Sequence, residues 1–151
     1  MFKNKGVPVD VDKIMGQLKT TAAKFGLEFG NREMTYNSRL AQEVGLWAQT
    51  KGRGHQFHMK VFKAYFVQGL NIALKDVLIN LIESSGLDPV KGREVIETRQ
   101  FSDAVDSDWN LAKIKGVTAV PTFFFGLDRL VGAQSYEALK KLIDEHAKSG
   151  S

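Results

Sequence analysis

The side chains best suited to chemistry are three histidines and a group of aspartates, because the sequence contains no cysteine. His55 and His58 stand three positions apart on one predicted helix face, and Glu43 completes the residue types of a metal site. A third clear ligand is lacking, so we predict no metal site and expect both histidines on a helix surface. His146 lies near the end of a predicted helix, where it favours the helix dipole.

Acidic and amide side chains stand at two predicted helix starts. Asp103, Asp106 and Asp108 cluster at the start of one helix, where negative charge favours the helix dipole. Asn37 and Arg39, in the stretch YNSR, are explained by a helix cap and a surface cation. No Ser-His-Asp spacing, phosphate-binding glycine loop or pair of catalytic carboxylates stands out. These residues alone leave the class of enzyme open.

One stretch, GVTAVPTFFFG at residues 116–126, organises the elements that must position these side chains. Its β-branched and aromatic residues predict a strand. Pro121 cannot donate to a ladder, so we expect it at the start, the edge or a bulge of the strand. Residues 127–128 predict a tight turn and residues 129–132 a return strand. An ordinary β-hairpin packed under a helix is the alternative to a functional loop.

Helical spacing of apolar residues predicts a series of helices around this hairpin. Glycines and the Asp88-Pro89 pair mark many of their ends. The third helix has aromatic residues on more than one face, so we predict that it is the buried centre of a helical subdomain. Residues 27–29 predict a short extended segment. The helices are predicted at about 11–25, 37–51, 55–68, 74–83, 89–98 and 102–115, and from 135 onward.

The composition predicts one globular domain over residues 1–151, with 43% hydrophobic and 25% charged residues. The formal charge of +4 is spread along the chain, so we predict no nucleic-acid partner. No apolar run approaches the ~20 residues that span a bilayer, so no membrane is expected. The first residues lack the apolar core of a signal peptide. A cytoplasmic location is therefore the default expectation.

Several separated stretches resemble the DsbA-like thioredoxin superfamily, in particular its FrnE-like branch, which is related to 2-hydroxychromene-2-carboxylate isomerases. The resemblance covers roughly residues 27–145 and implies an α/β (α+β) fold. It implies a partial thioredoxin-like fold, with a helical insertion at 34–100 and the thioredoxin-like parts at 1–30 and 101–148. This chain begins where the family has completed its first strand, its Cys-bearing helix and its second strand. The stretches are GVTAVPTFFFGLDRLVGAQSYEALKKLI, YNSRLAQEVGLWAQ, HMKVFKAYFVQGLNI and SSGLDP.

The family implies thiol–disulfide oxidoreductase activity and a cis bond before Pro121 that faces a catalytic Cys-x-x-Cys. The residue before the proline binds substrate backbone in the family, so the resemblance implies a docking edge for a peptide or thiol ligand. The family also places the YNSR motif beside the active-site cleft. In glutathione-using relatives, an acidic residue near the start of the helix predicted at 102–115 contacts the amino group of glutathione. The implied substrate-binding residues are Val120, Pro121, Thr122, Asn37, Arg39 and Asp103.

The family's reaction is disulfide exchange, which requires a thiolate, and this chain has no cysteine to supply one. We therefore expect a protein that is redox-inactive on its own, and we predict no catalytic residue because it has no cysteine. A glutathione-dependent isomerase-like or transferase-like enzyme is one alternative, and glutathione would be its cofactor. A structural or partner-binding fragment of a split oxidoreductase is another. In the thioredoxin fold that the resemblance implies, the strand at 116–126 pairs with a first strand that is not in this sequence, so its edge should be open. Residues 27–29, the N-terminal residues or a second copy of the chain could cover it, and we predict a homodimer, because exposed edges pair with other chains.

Overall fold

The computed structural model describes residues 11–31 and 34–149 of the chain. The chain divides into two compact units, Met1–Val105 and Asp106–Ser151. None of the described helices is both long enough and apolar enough to cross a bilayer. The elements are α1 (Val11–Lys24), α2 (Arg39–Thr50), α3 (Gly54–Phe62), a π-helical turn (Lys63–Val67), α4 (Lys75–Ser84), α5 (Pro89–Thr98), α6 (Ser102–Ile114), β1 (Thr122–Phe125), β2 (Asp128–Val131) and α7 (Tyr136–Ser149).

The first unit has its core between α2, α3, α4 and α5, which confirms the predicted helical block. Phe57, Leu78 and Ile82 are completely buried there. Helices α4 and α5 approach closely because α5 has a glycine at the contact. A Cβ on Gly92 would lie 2.6 Å from the Cδ1 atom of Ile82. The core therefore depends on close packing as well as on apolar composition.

Helix α5 begins at the predicted position for a local reason. The Oδ1 atom of Asp88 accepts hydrogen bonds from the N–H groups of Val90 and Lys91, at 2.8 Å and 3.3 Å. Pro89 occupies the first helical position, where no intrahelical donor is needed. At the other end, Arg99 adopts the left-handed conformation, with φ of 53°. The chain turns there and continues into α6.

The third predicted helix is regular only up to Phe62. It continues as a π-helical turn, in which the Gln68 N–H group donates to the carbonyl of Lys63 at 3.0 Å. Phe57 and Val61 are buried, as predicted. The helix therefore contributes to the core of the unit as predicted, but two of its predicted core residues, Phe62 and Phe66, remain substantially exposed.

The second unit contains the predicted β-hairpin. Strands β1 and β2 pair antiparallel, with Thr122 opposite Val131 and Phe125 opposite Asp128. The strand predicted over residues 116–126 is confirmed only for 122–125, and Pro121 precedes it directly. The predicted turn lies one residue earlier, at 126–127, because Gly126 adopts a φ of +60° that favours glycine.

The second unit buries little of its apolar surface. Between residues 106 and 146, none of the described side chains is fully buried. Trp109, Ile114 and Tyr136 are among the large apolar side chains that stay exposed. A two-stranded hairpin is marginally stable at best in water, and further strands or a packed helix are needed for independent stability. The hairpin therefore depends on helix α7, which contacts β1.

Candidate functional site

The outer edge of β1 is the first part of the candidate site. Gly132 donates its N–H group to the Pro121 carbonyl at 2.7 Å, which extends the hairpin ladder by one pair. Hydrogen-bonded and non-hydrogen-bonded pairs alternate in an antiparallel ladder. Thr122 and Phe124 therefore direct their N–H and C=O groups away from β2. The sheet has two strands within the described residues, so this edge has no ladder partner there.

Val120 and Pro121 extend this edge at its start. The peptide bond between them is cis. The Val120 side chain is 86% exposed, and its backbone groups have no hydrogen-bond partner among the described residues. The hydroxyl group of Thr122 donates to the Ala119 carbonyl at 2.6 Å, which ties the loop to the strand. The three predicted docking residues are consecutive in the chain, with Val120 and Pro121 exposed and Thr122 half-buried.

Two cations flank the hairpin. The Lys115 ammonium lies 5.6 Å from the centre of the Phe124 ring, within the range of a cation–π contact. Arg129 donates from Nη1 to the Gly116 carbonyl at 3.2 Å, and so holds the loop before β1 against β2. The edge is therefore apolar at Val120 and Phe124 and has positive charge beside it.

Helix α7 contacts the hairpin on both sides of the hairpin turn. The His146 Nε2 atom lies 2.9 Å from Asp128 Oδ2, and the His146 ring lies 4.9 Å from the Phe125 ring. A Cβ on Gly126 would lie 3.1 Å from the His146 ring. His146 was expected to act on the helix dipole, and the structure gives it a specific acidic partner as well.

Asn37 and Arg39 lie in the first unit, where both have structural contacts. The Asn37 Oδ1 atom accepts the N–H group of Arg39 at 2.8 Å and so helps to start α2. Arg39 donates from Nη2 to the carbonyl and the hydroxyl of Ser102, at 3.1 Å and 3.0 Å. Asp103 follows Ser102 and stands exposed in the first turn of α6. Arg39 thus joins the starts of α2 and α6.

A buried carboxylate completes this junction. Glu43 accepts from Arg99 at both oxygens, with distances of 2.8 Å to Oε2 and 2.6 Å to Oε1. Arg39 donates to the same carboxylate at 3.0 Å. Hydrogen bonds from Arg99, and then from Arg39, hold the pKa of Glu43 below its ordinary value, against the opposing effect of burial. The two arginines therefore keep this buried group charged.

Of the residues at this junction, the sequence pattern marks Glu43 but not its partner Arg99. Glu43 lies beside Val44 in the apolar stripe of α2, and a charged residue in such a stripe needs a partner. Arg99 lies 56 residues further along the chain, and no local pattern connects it with Glu43. Sequence reasoning therefore missed Arg99.

The two histidines considered as metal ligands lie apart from other ligating groups. The ring of His58 stacks on Phe62, with centroids 6.5 Å apart, and fits against Gly45 of α2. His55 is exposed. Glu43, the third candidate, is bound by arginines. Over the described ranges, no three histidine or carboxylate side chains come together as a metal site would require.

The predicted site residues fall into two groups. Asn37, Arg39 and Asp103 belong to the first unit, and Val120, Pro121 and Thr122 belong to the second. In the second group, Val120 and Thr122 have backbone groups without a partner among the described residues, whereas the Pro121 carbonyl accepts the Gly132 N–H group. The substrate-binding roles of all six residues stay predictions.

Residues 2–144 match the family of DSBA-like thioredoxin domains. The chain is also 31% identical, over 134 residues, to the uncharacterized protein YwbO of Bacillus subtilis (strain 168). That alignment covers 87% of this chain and 67% of YwbO.

Two solved structures share the fold. A probable DsbA oxidoreductase from Streptomyces coelicolor has a TM-score of 0.80 at 22% identity, over 88% of this chain and 58% of its own length. A 2-hydroxychromene-2-carboxylate isomerase has a TM-score of 0.78 at 18% identity, over 93% of this chain and 68% of its own. These similarities confirm the predicted thioredoxin-like α/β fold with a helical insertion. The chain therefore belongs to the family of DSBA-like thioredoxin domains.

Proposed function

We propose that this chain is a docking protein of the thiol–disulfide oxidoreductase type, which binds an extended peptide or a thiol compound along β1. The observation that carries the proposal is the free edge at Thr122 and Phe124, next to the exposed Val120. An extended peptide can add to such an edge as a further strand, with backbone hydrogen bonds giving affinity. The apolar side chains beside the edge would contact alternate side chains of that peptide.

The proposed protein docks a ligand without exchanging disulfides itself. Exchange proceeds by attack of a thiolate on a disulfide sulfur, and none of the 151 residues is a cysteine. Any thiolate that takes part in an exchange must therefore lie outside these 151 residues. The same edge also suits a second copy of this chain, so we propose a homodimer that a bound peptide would compete with.

Two assays with the same protein test this proposal. In the first, the pure chain is added to insulin and dithiothreitol, and we expect no acceleration of insulin reduction over buffer. In the second, fluorescence polarization follows a labelled, reduced and carboxymethylated insulin B chain, and we expect saturable binding. Acceleration of reduction, or a failure to bind the extended probe, would contradict the docking function.

A matched pair of variants locates the binding. Val120→Lys places a charge on the edge, whereas Leu127→Lys places the same charge on a fully exposed apolar residue at the hairpin turn. We expect the first variant to lose binding of the probe and the self-association seen in a sedimentation series. The second should keep both. Equal effects of the two variants would mean that the edge is not the docking surface.

A glutathione-dependent isomerase-like or transferase-like enzyme is the second candidate. The observation in its favour is the fold shared with the 2-hydroxychromene-2-carboxylate isomerase. Glutathione would supply the sulfur, and Asp103 would contact its amino group. Saturable binding of glutathione by calorimetry, weakened in Asp103→Asn and unchanged in Asp108→Asn, would favour this candidate over the docking function.

The finer assignments stay predictions. The FrnE-like branch rests on the sequence stretch LVGAQSYE. The cytoplasmic location stays a default expectation from the sequence patterns. The split-oxidoreductase alternative predicts that a separate segment with a Cys-x-x-Cys binds this chain and gives it reductase activity. An insulin-reduction assay with such a segment added distinguishes it from the docking function.

A further inference from the structure

A cavity of about 560 Å³ lies within the first unit. It is bounded by α1, by residues 25–29 and by α3 with its π-helical turn. Both helices present residues at i, i+3 or i+4, and i+7 to it, which is the spacing of one helix face. Its volume is in the range of sites for small molecules, about 300–1,000 Å³. The main apolar residues are Leu18 and Ala22 from α1, Phe25 directly after it, and Met59, Phe62 and Phe66 from the other side.

The backbone is shaped to form this cavity. The π-helical turn leaves the Phe66 carbonyl free to accept the Gly30 N–H group, at 2.9 Å. A Cβ on Gly30 would lie 2.0 Å from the Val67 carbonyl oxygen, so only glycine permits this approach. The Phe29 ring then lies 6.0 Å from the Phe66 ring. The segment before α2 is thus fixed against the turn and closes one side of the cavity.

The lining is apolar and unfilled by the unit's own side chains. Six of its large apolar residues keep between 37% and 75% of their surface exposed, with Phe66 at the lower end and Phe25 at the upper, whereas Phe29 and Val67 are half-buried. The apolar faces of α1 and α3 lie on opposite sides of this space and do not pack directly against each other as α4 and α5 do. A bound apolar molecule would bury these surfaces, at about 25 cal/mol per Å² of apolar area.

The charges around the cavity favour an anionic ligand. Helix α1 has three lysines and one aspartate, and α3 with its turn has Lys60 and Lys63 and no acidic residue. Lys63 belongs to the cavity lining and has no anionic partner among the described residues. Glu28 is the acidic residue of the lining. A ligand carboxylate beside Lys63 would accept a charge-assisted hydrogen bond from its ammonium group.

We propose that this cavity binds one molecule of an amphipathic carboxylate of the fatty-acid class. The alkyl chain lies between the faces of α1 and α3, and the carboxylate accepts hydrogen bonds from the Lys63 ammonium. This site uses neither the β1 edge nor any sulfur, so it stands or falls independently of the proposed docking function.

Calorimetry with dodecanoate, kept below its micellar concentration, tests the site. We expect saturable binding of one dodecanoate per chain and much weaker binding of dodecyltrimethylammonium, which has the same chain and the opposite charge. Equal binding of the two amphiphiles would overturn the assignment of a carboxylate. A lack of saturable binding would overturn the site itself.

Two matched pairs of variants locate the ligand. Ala22→Trp fills the cavity and should abolish binding, whereas Ala23→Trp adds the same ring at the exposed neighbouring position and should not. Lys63→Gln should weaken dodecanoate binding about tenfold, the lower end expected for a charged hydrogen bond. Lys60→Gln, outside the lining, should change it much less.

The lysine pair also covers the case in which the tryptophan variant does not fold. Equal affinities in the Lys63→Gln and Lys60→Gln variants would overturn the placement of the carboxylate. If Ala22→Trp instead dissociates a dimer while wild type binds no dodecanoate, the occupant of the cavity is a second copy of this chain, and the proposal fails.

Discussion

The two units of this chain differ in how much of their apolar surface they bury. The first unit closes a core between α2, α3, α4 and α5, in which Phe57, Leu78 and Ile82 have no exposed surface. The second unit has a hairpin and α7, and none of its described side chains from 106 to 146 is in the buried class. The first unit therefore carries most of the folding free energy. The second presents apolar surface and a free strand edge to other molecules.

Core truncation gives the largest expected contrast between the units. Ile82→Ala removes a fully buried side chain and should lower the free energy of unfolding by about 3–5 kcal/mol. Ile143→Ala removes the same atoms from a half-exposed position in α7 and should cost less than about 1 kcal/mol. Urea denaturation measures both. Equal losses would break the comparison, because they would mean that α7 is covered as fully as the core.

Removing the charge of Glu43 should cause the next largest loss of unfolding free energy. Glu43→Gln keeps the shape of the side chain but removes the anion that Arg39 and Arg99 share. Because both arginines keep some exposure to water, we expect a loss of about 2–3 kcal/mol, below the range for a fully buried pair. Chemical denaturation at neutral pH checks this value. A loss as small as that of a surface pair, below about 1 kcal/mol, would show that the junction does not hold the unit together.

The same junction predicts a pH dependence. The pKa of Glu43 is lowered in the folded state from an ordinary value of 4.5. A lowered pKa stabilises the fold above the unfolded pKa, and this stabilisation is lost as the pH falls through the folded pKa. The stability difference between wild type and Glu43→Gln should therefore be constant above pH 4.5 and shrink below it. A difference that grows on acidification would contradict the assigned direction.

Gly30→Ala tests the segment that closes the cavity in the first unit. The new methyl group would meet the Val67 carbonyl oxygen at 2.0 Å, so the segment must move away from the π-helical turn. We expect a loss of about 1–3 kcal/mol in thermal unfolding. Gly16→Ala is the control, because its Cβ has open space within α1 and should stabilise by up to about 1 kcal/mol. If both changes were neutral, the segment would not be fixed against the turn.

The smallest effect is expected at the turn of the hairpin. His146→Ala removes the contact with Asp128 and the ring packed on Phe125. Asp128 is largely exposed, so we expect less than about 1 kcal/mol in thermal unfolding. Lys141→Ala, which removes a long exposed ion pair on the same helix, is the control and should have almost no effect. A large loss at His146 would mean that α7 stabilises the hairpin far more than its exposure indicates.

Local signals were sufficient to predict most helices. The Asp88-Pro89 start of α5 is fixed by bonds within three residues, so the sequence contains all the information needed. The strand was predicted too long because β propensity is local, whereas a ladder needs a partner, and β2 reaches only as far as Val131. The hairpin turn also depends on the pairing register, and it lies one residue earlier than predicted.

Long-range contacts account for what the sequence did not reveal. The pairing of Arg99 with Glu43 and the cavity beside Phe66 join segments that are far apart in the chain. Aromatic residues at Phe62 and Phe66 predicted burial, but the partner face leaves a space instead of packing against them. The roles of Val120, Pro121 and Thr122 follow the family resemblance, and the exposed edge is the structural feature that makes them testable.

Amide hydrogen exchange along β1 tests the central claim most directly. Thr122 and Phe124 direct their N–H groups outward, whereas Phe123 and Phe125 direct theirs to β2 and so act as internal controls. With the carboxymethylated insulin B chain at saturation, we predict that exchange slows at least about tenfold at the two outward amides and changes little at the two inward ones. Unchanged exchange at Thr122 and Phe124 with the probe bound would show that the peptide docks elsewhere, and would contradict this account.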